Sequence, residues 1–216
     1  MQCTRFALLV ALAAAVSWCR QATAQNLLTD PGFENPALFT SDGAPFVGSW
    51  EAFNGGAGTS AQNDTVAPRT GARDAHFNIT ATNNSFAGIF QDVPVVAGVP
   101  YTYSGFHQSS DPNPSGYVSE ARIEWRSTVP DTEISRNNTT PVAGAAYTSF
   151  SSTFTAPPGA DIARIVYAIQ TFTDAGTTNT GNVFLDDLSV TVAPEPSTIA
   201  LAALGCLALP RPRRRA

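Results

Sequence analysis

Apolar and polar side chains alternate with a period of two through much of the middle of the chain, as in strands that bury one face. Phe150-Ser151-Ser152-Thr153-Phe154 puts both phenylalanines on one side. In residues 121–126, Ala121, Ile123 and Trp125 share one face, while Arg122, Glu124 and Arg126 share the other. Trp125 is therefore predicted to be core. Ile165, Tyr167 and Ile169 oppose Arg164, Val166 and Ala168 in the same way. Further strands are predicted over residues 48–53, 75–80, 86–96, 100–107 and 183–192. Turn residues separate them, as in Asn54-Gly55-Gly56, Ala97-Gly98 and Pro157-Pro158-Gly159. About eight strands with such breaks, no helical period between them and no internal repeat predict one all-β domain. An antiparallel β-sandwich of jelly-roll type fits this pattern.

The two ends follow a different pattern. Arg5, an apolar run over residues 6–16 and the small residues Ala22-Thr23-Ala24 form the three parts of a secretory signal. Signal peptidase cleavage is expected after Ala24, with Ala22 and Ala24 as the small residues it reads. The apolar run is shorter than the roughly 20 residues that a permanent span needs. At the other end, Pro194-Glu195-Pro196-Ser197-Thr198 precedes an apolar run over residues 199–209 and the closing Arg-Pro-Arg-Arg-Arg-Ala. These parts, in this order, resemble the PEP-CTERM sorting signal of Gram-negative bacteria. That resemblance implies an exosortase acting near Pro194, Glu195 and Pro196, and transient anchoring in the inner membrane by a short transmembrane helix. The arginines would stay cytoplasmic by the positive-inside rule. The expected organisation is a signal helix over 1–24, a β-domain over 25–193 and a sorting tail over 194–216. Export to the cell surface or extracellular matrix follows from it.

Composition narrows the partners. Over residues 25–193 there are six arginines, no lysine and sixteen carboxylates, a net charge of −10. Such a domain repels nucleic acid, whose phosphates need basic patches. Cys3, Cys19 and Cys206 all lie in the two end segments, so the domain is expected to hold no disulfide. Its stability must come from its core, or from bound metal.

The order of motifs along the domain carries a second resemblance. Asn26-Leu27-Leu28-Thr29-Asp30-Pro31-Gly32-Phe33-Glu34 opens it, and Gly48-Ser49-Trp50 follows. Gln91-Asp92-Val93 leads to Ala97-Gly98-Val99-Pro100-Tyr101, and Phe184-Leu185-Asp186-Asp187-Leu188-Ser189-Val190 closes it. Together they resemble CenC-like carbohydrate-binding modules of the galactose-binding-like class. The resemblance implies a β-jelly roll, a polysaccharide or exopolysaccharide ligand and a structural calcium. It places the calcium ligands at the carbonyl of Gly32, at Glu34, at Asp186 with Asp187 adjacent, and at the carbonyl of Arg73. Hard oxygen donors from distant segments suit calcium.

Sugar faces stack on exposed rings beside hydrogen-bonding groups. Trp50 and Phe53, Tyr103 and His107 on one strand face, and the polar ladder Arg122, Glu124 and Arg126 are the candidate glycan-binding residues. Packing of Trp50 into the sandwich is the competing reading. Catalytic motifs are missing: there is no Gly-x-Ser-x-Gly, His-Glu-x-x-His or Cys-x-x-Cys, and His76 and His107 are the only imidazoles. Glu120 and Glu124 share a strand face, as a glycosidase pair could, but alternate with arginines as a solvated charge ladder does. The loop Asp111-Pro112-Asn113-Pro114 opens like a calcium loop, yet Arg122 stands where the bidentate glutamate should be, and it is read as a turn. The domain is expected to bind rather than catalyse. A matrix protein with no sugar ligand is the alternative, and a glycan-active hydrolase the third.

Overall fold

The computed structural model describes residues 25–44, 46, 48–80, 83–110, 116–172 and 180–193. The expected signal segment, with Ala22 and Ala24, and the sorting tail, with Pro194, Glu195 and Pro196, lie outside the described residues, as does most of the turn at 111–115. Eleven strands build the domain: β1 (Phe39–Thr40), β2 (Trp50–Gly55), β3 (Thr59–Asp64), β4 (Asp74–Ile79), β5 (Phe86–Pro94), β6 (Pro100–Ser109), β7 (Val118–Thr128), β8 (Asp131–Thr139), β9 (Thr148–Thr155), β10 (Ile162–Gln170) and β11 (Gly181–Val192). They form one sheet of order β1-β2-β5-β10-β7-β8 and another of order β3-β4-β11-β6-β9. Every pairing is antiparallel except the short β1–β2 contact. From β5 to β7 and from β8 to β11 the chain passes from one sheet to the other at each step, as in a jelly roll. A 3-10 turn, Pro36–Leu38, is capped by the Asn35 side chain.

All eight predicted strands are present, most of them longer at one end or both. The three that the pattern missed are β1, β3 and β8. Both β3 (Thr-Ser-Ala-Gln-Asn-Asp) and β8 lie at sheet edges, are hardly buried, and so need no apolar period. Edge strands rich in polar residues also discourage pairing with other chains.

Inward residues of the two sheets interlock between them. Trp50 and Ala52 of β2, Ile89 of β5, Ile123 and Trp125 of β7, and Ile165, Tyr167 and Ile169 of β10 meet Phe77, Tyr103, Val183, Leu185 and Val190 of the facing sheet, all of them buried. Trp125 is core, as expected, and its indole N–H donates to Asn137 at 2.8 Å. Aromatic rings bridge the sheets, with Phe77 and Tyr167 centroids 5.6 Å apart and Phe150 and Tyr167 5.7 Å apart.

His107 belongs to this core. Its Nδ1 lies 2.7 Å from the Tyr167 hydroxyl, and Phe150 packs on its ring. Burial pushes its pKa down to about 4, partly offset by a hydrogen bond to the backbone at Val142. The folded protein thus favours neutral imidazole. Above the ordinary histidine value of 6.5 this stability is fully present, and it is lost as pH falls from 6.5 towards 4. At full extent the loss is about 3 kcal/mol. Urea unfolding at pH 7 and pH 4.5 should show this drop in the wild type. His107→Gln should show a clearly smaller one, whatever its stability at pH 7.

Candidate functional site

Two places gather side chains beyond what packing needs. One is the outer face of the six-stranded sheet. The other is the junction of the β-domain's first and last segments.

Register on the outer face sets its chemistry. Phe53 of β2 lies beside Gly88 of β5, which lies beside Ala168 of β10 and then Glu120 of β7. The next row runs Gly55, Phe86, Gln170, Val118, and another runs Glu51, Phe90, Val166, Arg122, Asn138. Small residues therefore pave the middle of the sheet, with phenylalanines on one side and charged residues on the other. A Cβ on Gly88 would meet the tip of the Phe53 ring at 2.6 Å, and one on Gly55 would meet the Phe86 ring at 2.4 Å. Lacking these side chains, the rings lie down across the sheet. Phe172, Phe86, Phe53 and Phe90 follow one another with centroids 5.9, 6.1 and 6.3 Å apart. Phe172 is 53% exposed and Phe46, at the far end, 60%.

Opposite the rings stands a ladder of charges. Arg122 bridges Glu120 at 2.8 Å and Glu124 at 2.9 Å, and Arg126 reaches Asp131 at 2.8 Å. Arg136 grips Glu133 with two bonds of 2.6 Å, and Arg164 grips Asp92 while its guanidinium covers the Phe90 ring at 4.1 Å. Between ladder and rings runs a groove of about 440 Å³, lined by Phe53, Phe86, Phe172, Glu120, Arg122 and Arg136 over Ala168 and Gln170. A second groove of about 560 Å³ continues past Glu51, Phe90, Asp92 and Phe46.

Of the residues predicted for sugar contact, Phe53, Arg122, Glu124 and Arg126 share this face. Trp50, Tyr103 and His107 do not, which corrects the expectation for them. Trp50 is 0% exposed, packs on Phe33 at 5.2 Å and donates its indole N–H to the Asp30 carbonyl. Tyr103 and His107, each 1% exposed, do share a strand face, but it is the inward one. With no reachable ring face they cannot stack on a sugar. The residues that sequence reasoning missed are Phe86, Phe90 and Phe172. A signal existed: Phe86, Gly88 and Phe90 repeat every second residue on the face opposite Ala87, Ile89 and Gln91, so β5 is apolar on both sides.

At the junction of the domain's ends, Asn26 and Leu27 run beside β11, with Leu27 N–H donating to the Val190 carbonyl and Asn26 bonding Leu188 and Val190. A register shift in β11 between Asp186 and Ser189, with Asp187 at φ 50°, aims both aspartates towards Gly32. Asp186, fully buried, accepts the N–H groups of Arg69 and Thr70 at 2.8 and 3.0 Å. Asp187 takes the Arg69 guanidinium and the Thr70 hydroxyl. Glu34 accepts the N–H groups of Ala72 and Arg73, in a loop where Gly71 at φ 62° leaves no room for a Cβ beside the Glu34 carboxylate. Glu34, Asp186 and Asp187 thus bind the loop that contains Arg73, and Gly32 lies beside the two aspartates. Burial raises the pKa of Asp186. Among the described residues, no three acidic, imidazole or thiol side chains form a group able to hold a metal ion.

Neither imidazole is set up with a nucleophile. His76 is held between Asp64 at 2.7 Å and Asn182 at 2.8 Å and stacks on Phe184.

No protein-family model matches the chain, and no curated protein matches it in sequence. Solved structures do match in fold. The xylan-binding CBM22-1 domain of Paenibacillus barcinonensis Xyn10C superimposes with a TM-score of 0.53 at 12% identity, over 80% of this chain and 97% of that one. A galactotriose complex of the carbohydrate-binding module TmCBM61 gives 0.50 at 13%, over 79% and 100%. The enzymatically active domain of bacteriophage CBA120 tailspike protein 4 gives 0.58 at 12%, over 78% of this chain, which spans about a fifth (21%) of the tailspike chain. At these identities the likeness is one of fold: an all-β sandwich of the kind used by carbohydrate-binding modules.

Proposed function

We propose that the domain is a non-enzymatic glycan-binding module whose ligand, a polysaccharide or exopolysaccharide, lies along the outer face of the six-stranded sheet. The observation that carries this reading is the row of phenylalanine rings laid over Gly55 and Gly88, across a groove from an ion-paired polar ladder. Apolar ring faces accept the C–H faces of sugars, and the ladder offers hydrogen bonds to their hydroxyls. Sandwich modules that bind xylan and galactotriose share the fold, which supports the reading without naming this ligand. Affinity electrophoresis against a panel of soluble polysaccharides tests it. Phe53→Ala and Phe172→Ala should lose retention with little change in melting temperature. Trp50→Ala should instead lower stability by about 3–5 kcal/mol, as large-to-small changes in cores do. Failure of the wild type to bind any polysaccharide would leave the matrix-protein alternative.

For the end junction we propose a structural calcium held by the Gly32 carbonyl, Glu34, Asp186 and the Arg73 carbonyl, with Asp187 alongside. The donors are hard oxygens from three distant segments, and a domain without a disulfide gains most from such a tie. Glu34, Asp186 and Asp187 do not form a ready-made cluster, so the ion would take carboxylate oxygens that now accept from the Arg69–Arg73 loop. With micromolar affinity, millimolar calcium would add roughly 4 kcal/mol. Melting should therefore fall on chelation in the wild type and not in Glu34→Gln. Equal melting with calcium and with chelator removes the ion from this reading.

Residues at both ends support export, exosortase processing and transient inner-membrane anchoring before delivery to the surface or matrix. Deleting residues 194–196 should leave export intact and accumulate an uncut, membrane-held form, visible as a larger mass in the inner-membrane fraction. Normal mass and normal delivery of the deletion variant would refute the sorting step.

A further inference from the structure

We infer that the groove around Glu51 is a subsite for a positively charged sugar unit, so that the polysaccharide taken by this face carries protonated amines, as a partly N-deacetylated amino-sugar polymer does. The inference rests on the glycan-binding reading above and names its ligand class.

Charge accounting on the face carries it. Four arginines stand there, and each is already matched: Arg164 to Asp92, Arg122 to Glu120 and Glu124, Arg126 to Glu124 and Asp131, Arg136 to Glu133. A uronate or sulfate would have to break one of these pairs to find a cation, and would meet the other carboxylates as it did so. The same face carries six carboxylates, counting Glu51. Five are the partners just named. Glu51 alone has no ion pair and no side-chain hydrogen bond among the described residues.

Its surroundings suit an ammonium group. Glu51 stands directly opposite Phe90 in the strand register, and the two line the groove of about 560 Å³ together with Thr29, Phe46, Ser49, Asp92 and Arg164. Arg164 and Asp92 compensate each other as an ion pair, so Glu51 leaves the groove with one unmatched negative charge. One face of Phe90 is already covered by a cation, the Arg164 guanidinium at 4.1 Å, and Phe46 next to it is 60% exposed. A sugar amine there would donate a charge-assisted hydrogen bond to Glu51 and gain an aromatic face from Phe46. Thr29 and Ser49, with their hydroxyl groups, line the same groove. The domain's charge of −10 would also speed the approach of a cationic polymer.

Chitin and chitosan share a backbone and differ in acetylation of the amine, so a pull-down on both at mildly acidic pH isolates the charge. Wild-type domain should be retained about tenfold more strongly on chitosan, the equivalent of one good charged contact. Glu51→Gln should lose that preference. Asp161→Asn, which removes the same charge in the loop between β9 and β10, should keep it. Equal retention on the two polymers, or an equal loss in both variants, overturns the amine subsite while any retention on neutral glycans leaves the broader reading in place. No retention on any polysaccharide sinks both.

Discussion

Contact between the inner faces of the two sheets underlies every other feature of this molecule. Trp50, Trp125, Tyr103 and Tyr167 fill the space between them, with the isoleucines of β5, β7 and β10 around them. No disulfide is available within residues 25–193, so the domain depends on this packing to outweigh the entropy of its chain. Because the largest rings are spent there, the outer faces are left with medium-sized aromatics and polar groups. His107 and Tyr167 show the cost of mixing the two roles: a titratable group sealed into the core makes the fold sensitive to acid.

On the outer face, glycine placement matters more than aromatic content. Phe53 and Phe86 are ordinary strand residues, but Gly88 and Gly55 beside them let the rings lie along the sheet instead of standing on it. Ala168 extends the same low floor into β10. The result is a shallow groove with a ring wall and a charged wall, wide enough for a chain-like ligand and open along its length. Pairing within the charged wall holds the long arginine side chains in place, which limits the entropy lost when a ligand arrives.

Where the first and last segments of the β-domain meet, carboxylates answer a loop of backbone N–H groups. Asp186 and Glu34 stand far apart in sequence, yet both bind the segment from Arg69 to Arg73. Positive φ at Asp30, Phe33 and Asp187 concentrates backbone strain in the same place, and such strain persists only where the surroundings hold it. The junction thereby anchors the first strand-like segment to β11, and its carboxylates are the chemistry proposed for calcium.

Alternation alone determined the all-β class, the eight strands with a buried face and the core position of Trp125, since burial of one strand face imposes a period of two. Motif order pointed to Gly32, Glu34, Arg73, Asp186 and Asp187 as one group; in the fold, Glu34, Asp186 and Asp187 bind the segment from Arg69 to Arg73, and Gly32 lies beside the aspartates. Edge strands β3 and β8 escaped because nothing buries them and so nothing patterns them. Only the tertiary structure decided which side faced inward in strands that carry apolar or aromatic residues on both faces. Period two says that Tyr103 and His107 share a face, but not whether that face is core or surface, and the facing sheet made it core. For Trp50 the same choice went to the core. For Phe53, Phe86 and Phe90 it went outward, because their partners across the sheet are glycine, alanine and charge, and that set of neighbours exists only once five strands from distant parts of the chain lie side by side.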